Sequence, residues 1–303
     1  MLFRSVKRCG KPDAKAILLD AHLDEIGLIV SGIEKGFLRV RAVGGVDPRI
    51  LPNQRVTVWG RAALPGLICT LPPHIQTPAD QEKSTPIADL WIDVGLNQAT
   101  AEAETPVGSP VTFDSQYTLL QGGCAAGKSL DDRAGFAALL YAADLLKNED
   151  LDADLYILGS TREEFSLAGA KVAAYALAPD CCVAVDVTHG RTPDGPKDET
   201  FPLGGGPVIG IGPNMTGWVT KRLTEKAGEL GLAHQSEVMS GHSGTNAWQM
   251  QVSREGVPTG VLSIPLRYMH TPYEVVKLSD IEEVGALLAA FVKNLGAEGV
   301  WVQ

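Results

Sequence analysis

Apolar and polar positions follow three different patterns along this chain. Near the start, AILL (16–19) is a short unbroken apolar run that ends on Asp20, Ala21 and His22, and the IGLIV stretch after it reads as an extension. Such a run predicts a buried strand. From about 32 to 115 the runs are short and rich in β-formers: FLRVRAV, RVTVWG, LWIDVG and PVTF. Turn-rich pieces such as GGVDPR and LPPHIQTP separate them, and no helical period is sustained, which predicts a small all-β barrel. From 117 onward, strands alternate with helices. DLYILG (154–159), CCVAVDV (181–187) and TGVLSIPL (259–266) read as strands. The segments 132–147, 215–231 and 278–296 read as helices. In the first helix Phe136, Leu139, Leu140 and Ala143 recur at i, i+3, i+4 and i+7 and predict its buried stripe. In the last, Ser279 as N-cap and Glu282 three residues later read as a capping box. The fold class expected is α/β, a mixed sheet covered by helices, with an inserted all-β barrel. Residues 1–31 and 116–303 would form one discontinuous domain and 32–115 the insertion.

Composition narrows the function classes. A chain of 303 residues, 45% hydrophobic and 20% charged, suits about two domains with a sizeable core and excludes a disordered or collagen-like chain. No apolar run approaches the ~20 residues of a membrane span. The net charge of −10 repels phosphate backbones and anionic membrane surfaces, so neither nucleic acid nor membrane is expected as a partner. The five cysteines are odd in number and form no C-x-x-C, and Cys181 and Cys182 lie inside an apolar run. That is neither a disulfide framework nor a thiolate metal site, and it suits a reducing compartment. The basic start, MLFRSVKRCGK, lacks the apolar core of a signal peptide, so a cytoplasmic location is expected.

The chemistry lies at the strand ends, where open α/β sheets bind ligands. His22 and Asp24 follow the first strand. Asp131 and Asp132 precede the first long helix. Glu163 and Glu164 follow DLYILG, Asp186 closes CCVAV, and His270 follows TGVLSIPL. One acid at a strand end is ordinary; five strand ends in register are not. Two imidazoles and three carboxylates make a ligand set for two Zn²⁺-like divalent ions sharing one carboxylate; nitrogen and oxygen donors without thiolates suit Zn²⁺, Co²⁺ and Mn²⁺ alike. In extended backbone His22 and Asp24 face one side, so the Asp24 carboxylate can orient the imidazole through its second nitrogen. Of the adjacent Glu163 and Glu164, one can bind metal while the other takes a proton from water.

AHLDEIGLIV, LDDRAG, REEFSLAGA, VAVDVTHG, GTNA and RYMHTPYEVV, in this order, resemble the tetrahedral (TET) dinuclear-metal aminopeptidases. Members of that family are also labelled glutamyl or deblocking aminopeptidases, and some cellulases. The resemblance spans nearly the whole chain, including the LPPH and IDVG segments of the β-domain. It implies a dinuclear-zinc peptidase-like fold that hydrolyses N-terminal residues from peptides with a free N-terminus, through a hydroxide bridging two metal ions. It implies His22, Asp131, Glu164, Asp186 and His270 as metal ligands, with Asp131 shared. Glu163 is implied as general base, and Asp24 as the residue that orients His22. A β-domain that mediates dimers, and dimers that build a dodecamer, follow from the same resemblance. Two departures stand out. Family members usually begin with a helical segment, whereas this chain starts almost directly at the strand before AHLDE; no ligand lies there. GTNA stands where GTDA is commoner, which removes an acid near the site.

Blander readings compete. His22 alone would pass as a structural histidine, Asp131 and Asp132 as first-turn acids favoured by the helix dipole, and the Glu pair as a solvated loop. His74, His189, His234 and His242 read as structural or outlying. Gly122, Gly127, Lys128 and Ser129 complete the pattern G-x-x-x-x-G-K-[ST], yet two carboxylates in the following helical turn would repel a triphosphate. A glycan hydrolase needs only two carboxylates flanking the bond and leaves the histidines unexplained. A non-catalytic scaffold would be signalled by loss of Glu163 or a ligand, and all are present.

Overall fold

In the computed structural model, residues 3–7, 9, 11, 13–77 and 83–295 are described. In chain order the strands and helices are β1 (Phe3–Lys7), β2 (Ala16–His22), β3 (Gly27–Glu34), β4 (Phe37–Val43), β5 (Arg55–Trp59), β6 (Ala63–Cys69) and β7 (Trp91–Asp93). After α1 (Gln98–Glu104) come β8 (Pro110–Phe113), β9 (Thr118–Leu120), β10 (Cys124–Gly127), α2 (Leu130–Leu146) and β11 (Asp154–Ser160). Next are α3 (Glu163–Ser166), α4 (Ala168–Leu177), β12 (Cys181–His189), β13 (Val208–Ile211), α5 (Gly217–Glu229) and β14 (Gln235–Val238). The last are α6 (Ala247–Met250), β15 (Thr259–Arg267), β16 (Glu274–Lys277) and α7 (Leu278–Leu295).

The unbroken apolar runs sit at the centre of a ten-stranded mixed sheet, ordered β1-β11-β2-β12-β15-β16-β10-β9, with β13 paired to β15 and β14. Strands β11, β2, β12 and β15 are parallel neighbours. Register places Ser160 beside His22, and Ala184 beside Asp20, so the carboxyl ends of three strands converge on one rim. Both faces of these strands are covered, which is why they read as continuous apolar runs. Ile17, Leu19, Val183 and Val185 pack with residues of α2, α5 and α7. The alternate residues Leu18, Leu158, Cys182 and Ala184 pack with α4 and α6 on the opposite face. By the same alternation, Asp20, His22 and Asp186 lie on that second face.

Two details of the helices differ from the sequence pattern. In α2 the buried stripe runs through Ala134, Ala138, Leu139, Ala142 and Leu146, whereas Leu140 is 49% exposed. Small residues on that face let α2 lie close to its neighbours. A Cβ on Gly285 of α7 would come 2.7 Å from the Ala138 carbonyl oxygen. Helix α7 starts at Leu278, so Ser279 lies inside it and is not its N-cap, while Asp280 accepts the amides of Gly204 and Gly206. Phe291 of α7 is fully buried in this core. Phe291→Ala should therefore cost about 3–5 kcal/mol, read as a lower midpoint in chemical denaturation.

The chain divides into two compact units. One takes residues up to Asp24, Thr118–Met269 and those from Glu274 on; the other takes Glu25–Tyr117 with His270–Tyr273. The second is a closed six-stranded barrel, β3-β4-β7-β6-β5-β8. Its core alternates inward-facing residues such as Leu28, Val30, Leu38, Val40, Val56 and Val58. The IGLIV stretch opens this barrel instead of extending β2, because β3 pairs with β4 and β8. A cavity of about 710 Å³ between Phe37, Leu71, Pro86 and Trp91 belongs to the barrel and is lined by none of the candidate site residues.

Candidate metal centre

His22 ends β2 and is 1% exposed. Its Nδ1 faces the Asp24 main-chain carbonyl at 3.1 Å, which fixes the ring and turns Nε2 inward. Nε2 lies 3.0 Å from Asp131 Oδ1 and 3.9 Å from Asp186 Oδ1. The Asp24 carboxylate was expected on Nδ1, but it stands 3.7 Å away. Its two oxygens instead accept the amides of Glu163 at 3.2 Å and Glu164 at 3.3 Å. Asp24 therefore holds the turn carrying the Glu pair, just after Arg162 at φ 67.

Asp131 and Asp132 open α2 with non-helical backbone angles. This departure from the helix directs two neighbouring carboxylates to one place. The Asp131 amide donates to Glu274 Oε2 at 3.0 Å, and Glu274 is itself 2% exposed. Asp132 Oδ1 accepts the Gly135 amide at 3.0 Å. A Cβ on Gly135 would run into that oxygen, so any other residue there must displace the Asp132 carboxylate. The irregular turn also ends the nucleotide reading of the 122–129 segment: Ser129 has φ 58, and no regular helical turn follows Lys128 to receive a phosphate.

The donors form two overlapping groups, His22 with Asp131 and Glu164, and His22 with Asp132 and Asp186. Within each group the ligand atoms lie within 4.8 Å of one another. Asp132 Oδ2 is buried and has no hydrogen-bond partner among the described residues. Hard oxygen donors around an imidazole, one of them orphaned, fit divalent cations.

The electrostatics agree with that chemistry. Burial, reinforced by the charges of Glu163 and Asp131, pushes Asp186 well above the usual carboxylate range despite His22. Burial and the charge of Asp186 do the same to Asp132. Burial opposes a charged His22, but the hydrogen bond to Asp131 and the surrounding carboxylates raise it well above an ordinary histidine. Glu163 is pushed up to about 7, first by burial and then by Glu164, Asp131 and Asp24, against His22.

The sequence profile of the M42 glutamyl aminopeptidases matches residues 5–287. The chain belongs to the M42 aminopeptidase family. M42 peptidases are metal-dependent hydrolases, in keeping with the donor groups just described. The chain is 35% identical over 290 residues to the lysyl aminopeptidase of Pyrococcus furiosus, covering 94% of this chain and 83% of that one. It is similar to the TET aminopeptidase of a marine sediment archaeon of the Thaumarchaeota, with TM-score 0.91 and 28% identity over 97% of this chain and 85% of the other. A TET1 peptidase of Pyrococcus horikoshii, described as assembling into a tetrahedron or a large octahedral shell, matches with TM-score 0.83 and 29% identity, covering 96% and 86%.

Within this M42 chain the structure brings together His22, Asp131, Glu164 and Asp186, with Asp24 and Glu163 alongside. His270 is placed in the barrel unit at φ 60, its Nδ1 3.1 Å from the Gly45 carbonyl. Sequence reasoning missed Asp132 as a donor and Glu274 as the acceptor for the Asp131 amide. The doubled aspartate was the available signal for the first. Nothing in the local pattern distinguishes Glu274. His242 stacks on Trp248 with ring centroids 4.3 Å apart, in keeping with a structural histidine.

Proposed function

We propose that this chain removes N-terminal residues from peptides with a free α-amino group, using two divalent ions, zinc foremost. The ligands would be His22, Asp131, Glu164, Asp186 and His270, with Asp131 shared; His270 enters through the RYMHTP motif. The observation that carries the reading is the divergence of two adjacent acids. Asp24 holds both amides, yet Glu164 joins the donor group of His22 and Asp131 while Glu163 does not.

When bound, divalent cations supply Lewis acidity, lowering the pKa of water and polarising the scissile carbonyl. Glu163 accepts the proton of the attacking water and passes it to the leaving amine. A carboxyl held near 7 by burial suits a group that must both take and return a proton at neutral pH. Asp24 keeps that carboxylate in place through the Glu163 amide, and its carbonyl keeps His22 aimed inward.

A panel of aminoacyl anilides, assayed with Zn²⁺, Co²⁺ and Mn²⁺, tests the reading. Hydrolysis that a chelator abolishes and a metal restores is the expected result. Chelator-resistant cleavage of a glycan, or no hydrolysis of any anilide, would sink it. Among the described residues no helix is long and apolar enough to cross a membrane; the cysteine pattern supports a cytoplasmic location.

The shells described for the Pyrococcus horikoshii relative support a homo-oligomer; the barrel as dimer contact and a dodecamer as the full assembly are the form we propose for it. Deleting the barrel segment should lower the oligomeric mass measured by light scattering. An unchanged mass from a soluble deletion protein would remove the barrel from the interface.

A further inference from the structure

Asp20, Ser160 and Asn246 make a second polar cluster that the reaction steps above do not use. Asp20 and Ser160 are fully buried and Asn246 is 3% exposed. One amide nitrogen, Asn246 Nδ2, donates to Asp20 Oδ2 at 2.8 Å and to Ser160 Oγ at 2.8 Å. Each partner is tied to the metal centre by the chain. Asp20 precedes His22 by two residues on β2 and shares its face. Ser160 stands beside His22 in the β2–β11 register and lies three residues before Glu163. Its carbonyl accepts the Leu23 amide at 2.9 Å, closing the strand end just past His22. Asn246 comes from a third element, immediately before α6.

The amide thus bridges two strands at the level where one delivers His22 and the other turns toward Glu163. An ionised carboxylate at 246 could not do this, because it accepts hydrogen bonds and donates none. It would also stand against the Asp20 carboxylate in a fully buried place, where like charges repel strongly. We propose that Asn246 is a positioning residue, which sets the separation of His22 and Glu163 through Asp20 and Ser160. The acid at 20 and the amide at 246 act as a matched, exchangeable pair. The kinetic part of the proposal rests on the aminopeptidase reading; the pairing does not.

The test compares the full chain with Asn246→Asp, Asp20→Asn, the exchange variant carrying both substitutions, and the milder Ser160→Ala. Three quantities are measured on each: kcat and KM on an aminoacyl anilide, the visible absorption of bound Co²⁺, and the Tm of the chelated protein. Each single exchange should lower kcat by about tenfold or more with KM changed by less than about threefold, and should alter the Co²⁺ spectrum. Ser160→Ala should act in the same direction but more weakly. The exchange variant should recover most of the lost kcat and the native Co²⁺ spectrum.

Single variants that lower Tm while keeping full kcat and spectrum would reduce the cluster to a structural role and overturn the proposal. An exchange variant as impaired as the two singles combined would overturn the pairing. Should Asn246→Asp fail to fold, the exchange variant still decides: folded with a native spectrum it supports the pair, unfolded it refutes it. If the wild-type chain hydrolyses no anilide, the functional reading fails, while the Co²⁺ spectra and Tm values still judge the pair.

Discussion

Glu163→Gln should leave bound metal near normal while kcat falls by about 10² to 10⁴, the usual contribution of a positioned general base. Glutamine keeps the shape and the amide contact to Asp24 but cannot accept the proton. KM should change little, because the donors and the pocket remain. Its neighbour should behave differently. Glu164 lies in the donor group with His22 and Asp131, so Glu164→Ala should lower metal content and turnover together. Metal analysis and kinetics on the same purified samples separate the two roles. Loss of metal in Glu163→Gln as severe as in Glu164→Ala would mean the roles are swapped or shared. Full activity with full metal would end the proton-shuttle assignment.

Metal removal should leave a protein whose stability falls as pH rises. In the metal-free chain burial raises Glu163 and Asp20 to about 7, and holds Asp132 and Asp186 well above the usual carboxylate range. These groups do not titrate alone. Asp20 faces Ser160, Asn246 and the charges of His22 and Asp24, and the others face one another, His22, Asp131 and Glu164. A carboxyl whose folded pKa exceeds its unfolded value of about 4 binds more protons folded than unfolded, so its stabilisation is lost as pH rises between the two values. His22, also raised, contributes stability that is lost as pH rises through its folded pKa. Every sign is the same, and the chelated protein should weaken from about pH 4 through pH 7.

Cations bind the deprotonated acids and release protons, so their stabilisation grows over the same range. At free metal about a hundredfold above Kd the gain is about 2.7 kcal/mol per site, a Tm gap of about 4 °C. Thermal scans of chelated and reloaded protein at several pH values should show that gap widening as pH rises. Parallel curves would mean that the acid cluster is not where metal binds.

Much of the architecture could be read along the chain, for a local reason. Strands buried on both faces must be apolar at every position, so β2, β11, β12 and β15 stood out as unbroken runs. The barrel was visible because its strands are short and separated by turn residues. Helix α4, the short strands β13, β14 and β16, and the burial of Ala134 and Ala138 were not visible. Alanine-rich segments and four-residue strands carry little periodicity of their own, and their burial depends on which neighbour approaches.

The site divides along the same line. The candidate donors were legible in the chain: His22, Asp24, Asp131, Glu163, Glu164 and Asp186 lie at or near the ends of elements of the sheet unit, where polar side chains can reach its rim. Tertiary structure alone decided the assignments that depend on residues far apart in the chain. It gave the Asp24 carboxylate to the amides of Glu163 and Glu164 instead of to His22, brought Asp132 into the donor set through an irregular turn, and set Asn246 against Asp20 and Ser160. A local pattern records how each segment is exposed to solvent. Hydrogen bonds between residues 86 and 226 positions apart arise only when the folded sheet brings their strands and loops together.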